Sequence, residues 1–263
     1  MKKLLVFYFS GTGNTAYVVN NFCSKLIDKN IECKIINIEE YNVDMINAFE
    51  FDTCLVAHPI YGSNMPRIMK EFISNNIELF ENKDLITLVT QHSFSGDGGS
   101  LAARLIKNKK KHIASIHINM PSNISDSTTF IKVKNGTTNN KTILNADNKI
   151  DRCIKDIFSG KKINNGKSIF ARISGFLGQR IYLNYIFGKR LQKGLKIDKD
   201  KCFLCSKCVN SCPMKNIIIK DKIIATNDNC TLCYRCINNC PKKAISLISK
   251  RKPIVQYEGI KKQ

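Results

Sequence analysis

No run in this chain of 263 residues reaches the roughly 18 uncharged apolar positions that a membrane-spanning helix needs. The opening stretch Met1-Lys2-Lys3-Leu4-Leu5-Val6-Phe7-Tyr8-Phe9 starts like a secretion signal, but Ser10-Gly11-Thr12-Gly13-Asn14 cuts its apolar run short and no small-residue cleavage site follows. Together these absences predict a cytoplasmic protein, in a compartment where thiols stay reduced. Acidic residues are also scarce, 21 against 42 basic ones, for a formal net charge of +21. Such an excess suits nucleic acid or an anionic membrane. It equally follows from heavy use of Lys, Asn and Ile along the whole chain, and no nucleic-acid recognition motif is present, so no nucleic acid is expected as a partner. Missing too are a Ser-His-Asp constellation, a paired carboxylate site and a nicotinamide fingerprint, so no catalytic residue is assigned.

What is there is enough for two domains. Hydrophobic content of 43% and charged content of 24% are ordinary for a folded globular chain of this length. In the first 160 residues, short runs rich in Ile, Val and Leu (4–9, 32–38, 53–57, 85–90 and 113–119) read as strands buried on both faces. Helical patterns lie between most of them, at 14–28, 67–79, 99–107 and 143–158. This alternation predicts an α/β doubly wound parallel sheet, with ligands at the carboxyl ends of its strands. Residues 120–142 are polar and turn-rich, and read as a surface excursion. Residues 161–197 form a basic amphipathic linker, in which Ile169, Ile173, Phe176, Leu177, Leu183, Phe187 and Leu191 recur at roughly helical spacing between Arg172, Arg180, Lys189 and Arg190. Such a segment either covers a domain or makes peripheral membrane contact through 168–193. A cysteine-rich module follows at 198–249, and a basic tail at 250–263.

The module contains a repeat. "CFLCSKCVNSCPMKNIII" at 202–219 is echoed by "CTLCYRCINNCPKKAISL" at 230–247, with every Cys and Pro in register about 28 residues on. Each copy reads C-x2-C-x2-C-x3-C-P. Zinc knuckles use paired C-x2-C units separated by a longer loop, and disulfides are disfavoured by compartment and spacing. The close triple of cysteines suits three corners of a cubane, with the fourth aimed elsewhere. The segment resembles the bacterial 2x[4Fe-4S] ferredoxins, in which the fourth cysteine ligates the other cluster. That resemblance implies one cluster on Cys202, Cys205, Cys208 and Cys240, and a second on Cys230, Cys233, Cys236 and Cys212. Pro213 and Pro241 fix the turn after each crossing ligand, and Val209, Ile217, Ile237 and Ile245 exclude water. The remaining cysteines, Cys23, Cys33, Cys54 and Cys153, have no metal spacing and read as small buried hydrophobes.

At the front, Ser10-Gly11-Thr12-Gly13-Asn14-Thr15 joins a strand to a helix. It lacks both the third glycine of a dinucleotide fingerprint and the Gly-Lys-Ser/Thr of a P-loop. Hydroxyls and helix N-terminal amides instead make a neutral nest for a terminal phosphate. Here residues 1–160 resemble the flavodoxin family, which implies FMN as ligand. It also implies two ring-holding loops, with Pro59, Ile60, Tyr61 and Gly62 in one and Ser93, Phe94, Gly96, Asp97, Gly98 and Gly99 in the other. Tyr61 or Phe94 would supply a stacking face and the glycines close backbone approach. His58 and His92 at the strand ends read as loop residues ahead of proton donors.

The architecture as a whole, a flavodoxin-like sheet followed by a small α+β two-cluster ferredoxin domain, is similar to the flavodoxin-ferredoxin fusion proteins of strictly anaerobic bacteria. The resemblance implies an electron carrier working with redox protein partners, acidic ones given the positive charge. The alternative is a reductase whose clusters feed an FMN that reduces a quinone or nitro compound.

Overall fold

The computed structural model describes residues 1–129, 131–134, 136–177, 181, 193–248, 253 and 255–260. Strands β1 (Lys3–Tyr8), β2 (Glu32–Asn37), β3 (Thr53–Pro59), β4 (Asp84–Gln91), β5 (Lys111–Asn119) and β6 (Ile163–Asn164) form one parallel sheet in the order β2-β1-β3-β4-β5-β6. Alternate residues serve opposite faces. Leu4, Val6, Leu55, Ala57, Ile86 and Leu88 pack under helices α1 (Asn14–Ile27) and α4 (Gly136–Phe158). Leu5, Phe7, Phe9, Cys54 and Val56 pack under α2 (Arg67–Asn75) and α3 (Leu101–Leu105). Both layers are dry, which is why the central strands read as continuous apolar runs. The chain turns in opposite directions from β1 to its two neighbours, so a crevice opens at the carboxyl ends of β1 and β3.

Several boundaries differ from the pattern in the sequence, each for a local reason. The helix expected over 67–79 stops at Asn75, where the Asn76 side chain donates to the Phe72 carbonyl at 2.8 Å and a 3-10 turn, Ile77–Phe80, takes over. Helix α4 begins at Gly136, earlier than its apolar pattern, because a turn added to a helix already nucleated by packing costs little, even with polar residues in it. Strand β6 extends the sheet past residue 160 and brings Asn165 beside β5, where its Oδ1 accepts from His117 N at 3.2 Å. Beyond it, α5 (Ile169–Ile173) is capped by Ser168, whose Oγ accepts from Ala171 N at 3.1 Å. The large apolar residues of α5, Ile169, Phe170 and Ile173, face outward, Phe170 being 76% exposed, while Ala171 is buried. Arg180, Leu183, Phe187, Lys189, Arg190 and Leu191 lie outside the described residues, as does much of the tail. Among the described residues no helix is long and apolar enough to cross a membrane.

The cysteine module has its own core around Ile217, Tyr234, Ile237 and Ile245. Two short helices, α6 (Lys207–Asn210) and α7 (Arg235–Asn239), accompany an antiparallel pair, β7 (Lys196–Ile197) with β10 (Ile245–Ser246), and a hairpin of β8 (Ile217–Lys220) with β9 (Ile223–Thr226). Asp221 and Lys222 turn the hairpin with both φ positive, 50° and 58°, as a two-residue loop between right-twisted strands requires.

The polar excursion is not solvent-facing throughout. Ser122, Ser125 and Asp126 are buried where it meets the cysteine module. The Asp126 carboxylate accepts from Tyr234 Oη at 2.9 Å, Leu247 N at 2.6 Å and Ile248 N at 2.8 Å, while Asn238 Nδ2 donates to the Asn123 carbonyl at 2.9 Å. Its polarity therefore belongs to a hydrogen-bonded clasp between the domains. Asp126→Ala strands two buried donors, Tyr234 Oη and Leu247 N, and a half-exposed one, Ile248 N, and should cost about 2–3 kcal/mol, with Asp126→Asn recovering part of it. An unchanged midpoint in anaerobic urea unfolding would remove the clasp from the account.

Candidate cluster and cofactor sites

The eight repeat cysteines stand around two small cavities. Cys212, Cys230, Cys233 and Cys236 line one, with Pro213 and Ile217. Cys202, Cys205, Cys208 and Cys240 line the other, with Ile224 and Ile245. In each case the fourth thiol comes from the other copy of the repeat. Among the described residues no three His, Cys, Asp or Glu side chains converge on a single ion position; the sulfurs surround space instead. Burial pushes the Cys233 thiol up to about 12 and raises Cys208, Cys230 and Cys236 as well. Thiolates so placed need iron or another cation beside them.

The repeat is written into the backbone too. Left-handed residues recur in pairs 28 positions apart: Leu204 and Leu232, Ser206 and Tyr234, Lys215 and Lys243. Alternating handedness of this kind turns successive N–H groups inward as an anion nest. The amides reach the sulfurs in matching fashion, Asn216 N to Cys212 Sγ at 3.2 Å and Ala244 N to Cys240 Sγ at 3.3 Å, with Leu232 N to Cys230 Sγ at 3.3 Å. Cavity lining, apolar cover and N–H···S bonds all fit a pair of cubane clusters.

The two cavities differ in setting. Around the outer one, Cys205 is exposed, Phe203 is 56% exposed, and the Lys242 ammonium lies 5.7 Å from the Phe203 ring centroid. The inner one abuts the first domain. Cys233 packs into the same apolar layer as Phe7, Phe9 and Met69, directly on the glycine loop. A Cβ on Gly11 would lie 2.7 Å from the Cys233 carbonyl oxygen and 2.6 Å from Tyr61 Oη, so only glycine permits this approach. Arg235 locks it. Its guanidinium donates to the carbonyls of Ser10 (2.7 Å), Gly11 (2.9 Å) and Ser211 (3.1 Å), and forms a two-pronged ion pair with Glu39 at 2.6 and 2.7 Å. Neither Arg235 nor Glu39 is among the residues that spacing singles out. The available signal was a basic residue at the same register of both copies, Lys207 and Arg235.

Ser10 organises the glycine loop by accepting from Gly13 N at 3.1 Å and Ala16 N at 3.2 Å, while Gly13 takes φ +96°. Thr15 turns inward and bonds Thr90 Oγ1 at 2.8 Å. Thr12 accepts from Asn123 Nδ2 at 2.9 Å, and Asn14 donates to the Pro121 carbonyl at 2.9 Å. A cavity of about 550 Å³ opens against Ser10, Gly11, Thr12 and Gly13. A left-handed glycine heading a 14-residue helix, beside open space of this size, fits a terminal phosphate group.

The two loops expected to hold a ring are differently placed. Tyr61, Gly62, Ser63 and Asn64 make a tight turn, with Tyr61 N to the Asn64 carbonyl at 3.0 Å, and Ile60 N bonds the Thr90 carbonyl at 2.9 Å. Pro59 ends β3 half-buried, and Ser93 and Phe94 are exposed. Gly96, Asp97, Gly98 and Gly99 are buried against the chain itself: a Cβ would meet Gly175 Cα at 2.5 Å from Gly96, Ile60 Cδ1 at 2.7 Å from Gly98 and His117 Nε2 at 2.2 Å from Gly99. Asp97 pairs with Arg104. Unpartnered buried polar atoms gather at this end of the sheet: His58 Nε2, Tyr61 Oη, Gln91 Oε1, His92 Nδ1 and His117 Nε2.

His58 and His117 flank Val89 in one row across the sheet. His58 Nδ1 donates to the Pro59 carbonyl at 3.0 Å, and His117 Nδ1 pairs with Ser95 Oγ at 2.9 Å. Burial pulls both rings down from 6.5 to about 4. Between those values the unfolded chain binds protons that the folded chain does not. The stability this provides is complete above about pH 6.5 and is lost as pH falls toward 4. His117→Gln should flatten the slope of urea stability against pH in that window; an unchanged slope would mean the ring titrates normally.

Residues 5–142 match the flavodoxin domain model, and residues 194–241 match the model of a 4Fe-4S dicluster domain. No curated protein matches the chain. Among solved structures, an archaeal flavodoxin is similar at 15% identity and a TM-score of 0.43, covering 59% of this chain and 99% of its own. The Megasphaera elsdenii flavodoxin, in its two-electron reduced form, follows at 20% identity and 0.39, with 44% and 85% covered. The Fusobacterium nucleatum flavodoxin bound to flavin mononucleotide stands at 16% and 0.38, with 59% and 99% covered. With just over half of its length in the first of these domains, the chain belongs to the flavodoxin domain family, carries a 4Fe-4S dicluster domain behind it, and is by that pairing an electron-transfer protein.

Proposed function

We propose that the protein is an electron carrier that relays single electrons through two [4Fe-4S] clusters and a bound FMN, with no organic substrate of its own. The observation that carries this reading is the contact of the inner cysteine cavity with the glycine loop, through Cys233, Gly11 and Arg235. Bound FMN supplies exchange between one- and two-electron chemistry, and each cluster passes one electron at a time.

The chain's own residues divide the work. Cys202, Cys205, Cys208 and Cys240 hold the outer cluster beside an exposed rim, where Phe203 and Lys242 meet a redox partner. Cys230, Cys233, Cys236 and Cys212 hold the inner one, shielded from water by Tyr234, Ile237 and Leu247. Ser10, Gly11, Thr12, Gly13, Asn14 and Thr15 hold the FMN phosphate. Pro59, Ile60, Tyr61, Gly62, Ser93 and Phe94 serve the ring end, and Gly96, Asp97 and Gly98, packed against Gly175, Arg104 and Ile60, support that end from behind. Arg235 keeps the two modules in register while carrying a charge opposite to that of a thiolate-bound cluster. The basic surface steers acidic partners, so association should slow as ionic strength rises.

Anaerobically purified protein should contain about eight irons per chain and absorb broadly near ~400 nm over flavin bands. Two irons or fewer, with stoichiometric zinc, would overturn the cluster reading. Cys212→Ala should remove the cluster on Cys230, Cys233 and Cys236 and spare the one beside its nearer neighbours. EPR or Mössbauer spectra with the outer cluster damaged instead would reverse the assignment. Pre-reduced protein should pass electrons to protein acceptors; saturable turnover of one quinone or nitro compound would replace the carrier with a reductase.

A further inference from the structure

We infer that the phosphate end of the flavin site is composite: the second module and the strap Gln256–Ile260 close it, and the first domain alone leaves it open. This rests on the FMN reading and adds to it. The cavity against the glycine loop has three further walls, namely the carboxyl ends of β1 and β2 at Tyr8 and Asn37, helix α7 at Arg235 and Asn238, and the strap at Tyr257 and Gly259.

The strap is held through Gln256, Tyr257, Gly259 and Ile260. Gln256 Nε2 donates to the carbonyls of Ile237 and Cys240, both at 2.7 Å, which ties the strap to the turn that carries a cluster cysteine. Tyr257 N donates to Asn238 Oδ1 at 2.7 Å. The Tyr257 side chain is buried, and its hydroxyl donates to Asn14 Oδ1 at the first residue of α1. Burial raises that phenol well above its ordinary range, so it stays protonated and remains a donor. Gly259 takes φ +79° and lies close over the loop, a Cβ there falling 3.6 Å from the Thr12 carbonyl. Ile260 then packs against the core under α1 and α4.

A chain segment tied through Gln256, Tyr257, Gly259 and Ile260 to the loop, to α7 and to the core under α1 and α4 is a wall of the cavity, not a free tail. What it encloses is lined by the Ser10 and Thr12 hydroxyls and the loop backbone at the start of α1. Among the lining residues Arg235 is already committed to Glu39 and three carbonyls, and the carboxylate of Glu258 lies exposed at the rim. The ligand that matches is a phosphate monoester on a larger body.

The full-length, cluster-loaded protein decides this. FMN and riboflavin, which lacks the phosphate, are titrated anaerobically by flavin fluorescence into wild type, Tyr257→Phe and Tyr257→Ala, with iron content measured alongside. Tyr257→Ala should weaken FMN by about tenfold or more, and Tyr257→Phe by a few-fold, with riboflavin affinity and iron content unchanged. FMN should also slow amide exchange across 256–260 in wild type, a readout that no variant can confound by misfolding. Wild type that binds FMN, with the strap indifferent in both measurements, overturns the composite site alone. Wild type that binds no FMN brings down the flavin reading with it.

Discussion

Cys233 belongs to two structures at once. It lines the inner cysteine cavity, and it packs into the apolar layer that Phe7, Phe9 and Met69 form beneath the sheet. The glycine loop and the second half of the repeat are therefore in van der Waals contact, with no linker to span. Gly11 is the steric condition for that contact, since any side chain there would strike the Cys233 carbonyl and Tyr61. Arg235, two residues on, is the electrostatic condition. It takes up carbonyls at the end of β1 that would otherwise be desolvated without partners, and pairs with a half-buried Glu39. The separation between the two redox modules is set by these two residues.

Around this contact the interface is mostly polar. Asp126, Asn123, Ser125 and Asn238 hydrogen-bond across it, and Asn123 also reaches Thr12 in the glycine loop. Polar contacts of this kind add modestly to affinity when made and cost heavily when broken, so they hold one docking geometry against its alternatives. They keep the glycine loop and the inner cysteine cavity in one fixed arrangement. The outer cavity, by contrast, keeps Cys205 and Phe203 exposed to solvent.

Much of this was legible beforehand. The parallel sheet showed in the Ile, Val and Leu runs because strands buried on both faces permit little else. The cysteine repeat was visible because ligand geometry demands fixed spacing, and the left-handed pairs at Leu204 and Leu232 or Ser206 and Tyr234 follow that spacing although no glycine announces them. The polar stretch after β5 was harder. Ser122, Ser125 and Asp126 carry the composition of a solvent loop, and nothing local distinguishes a hydroxyl that meets water from one that meets another domain. The same holds for Tyr257 and Gln256, which stand within a lysine-rich tail yet are fastened to α7 and α1.

Local chemistry alone determined which residues form the strands, where the glycine loop lies, and which eight cysteines belong together, because periodicity and ligand spacing are properties of neighbouring residues. Tertiary structure decided how the two modules face each other. Gly11 against Cys233, Arg235 against Glu39 and Ser10, and Asp126 beneath Tyr234 join positions about 110 to 220 residues apart, and such pairs leave no pattern in the chain because steric fit and burial exist only once the surfaces have met.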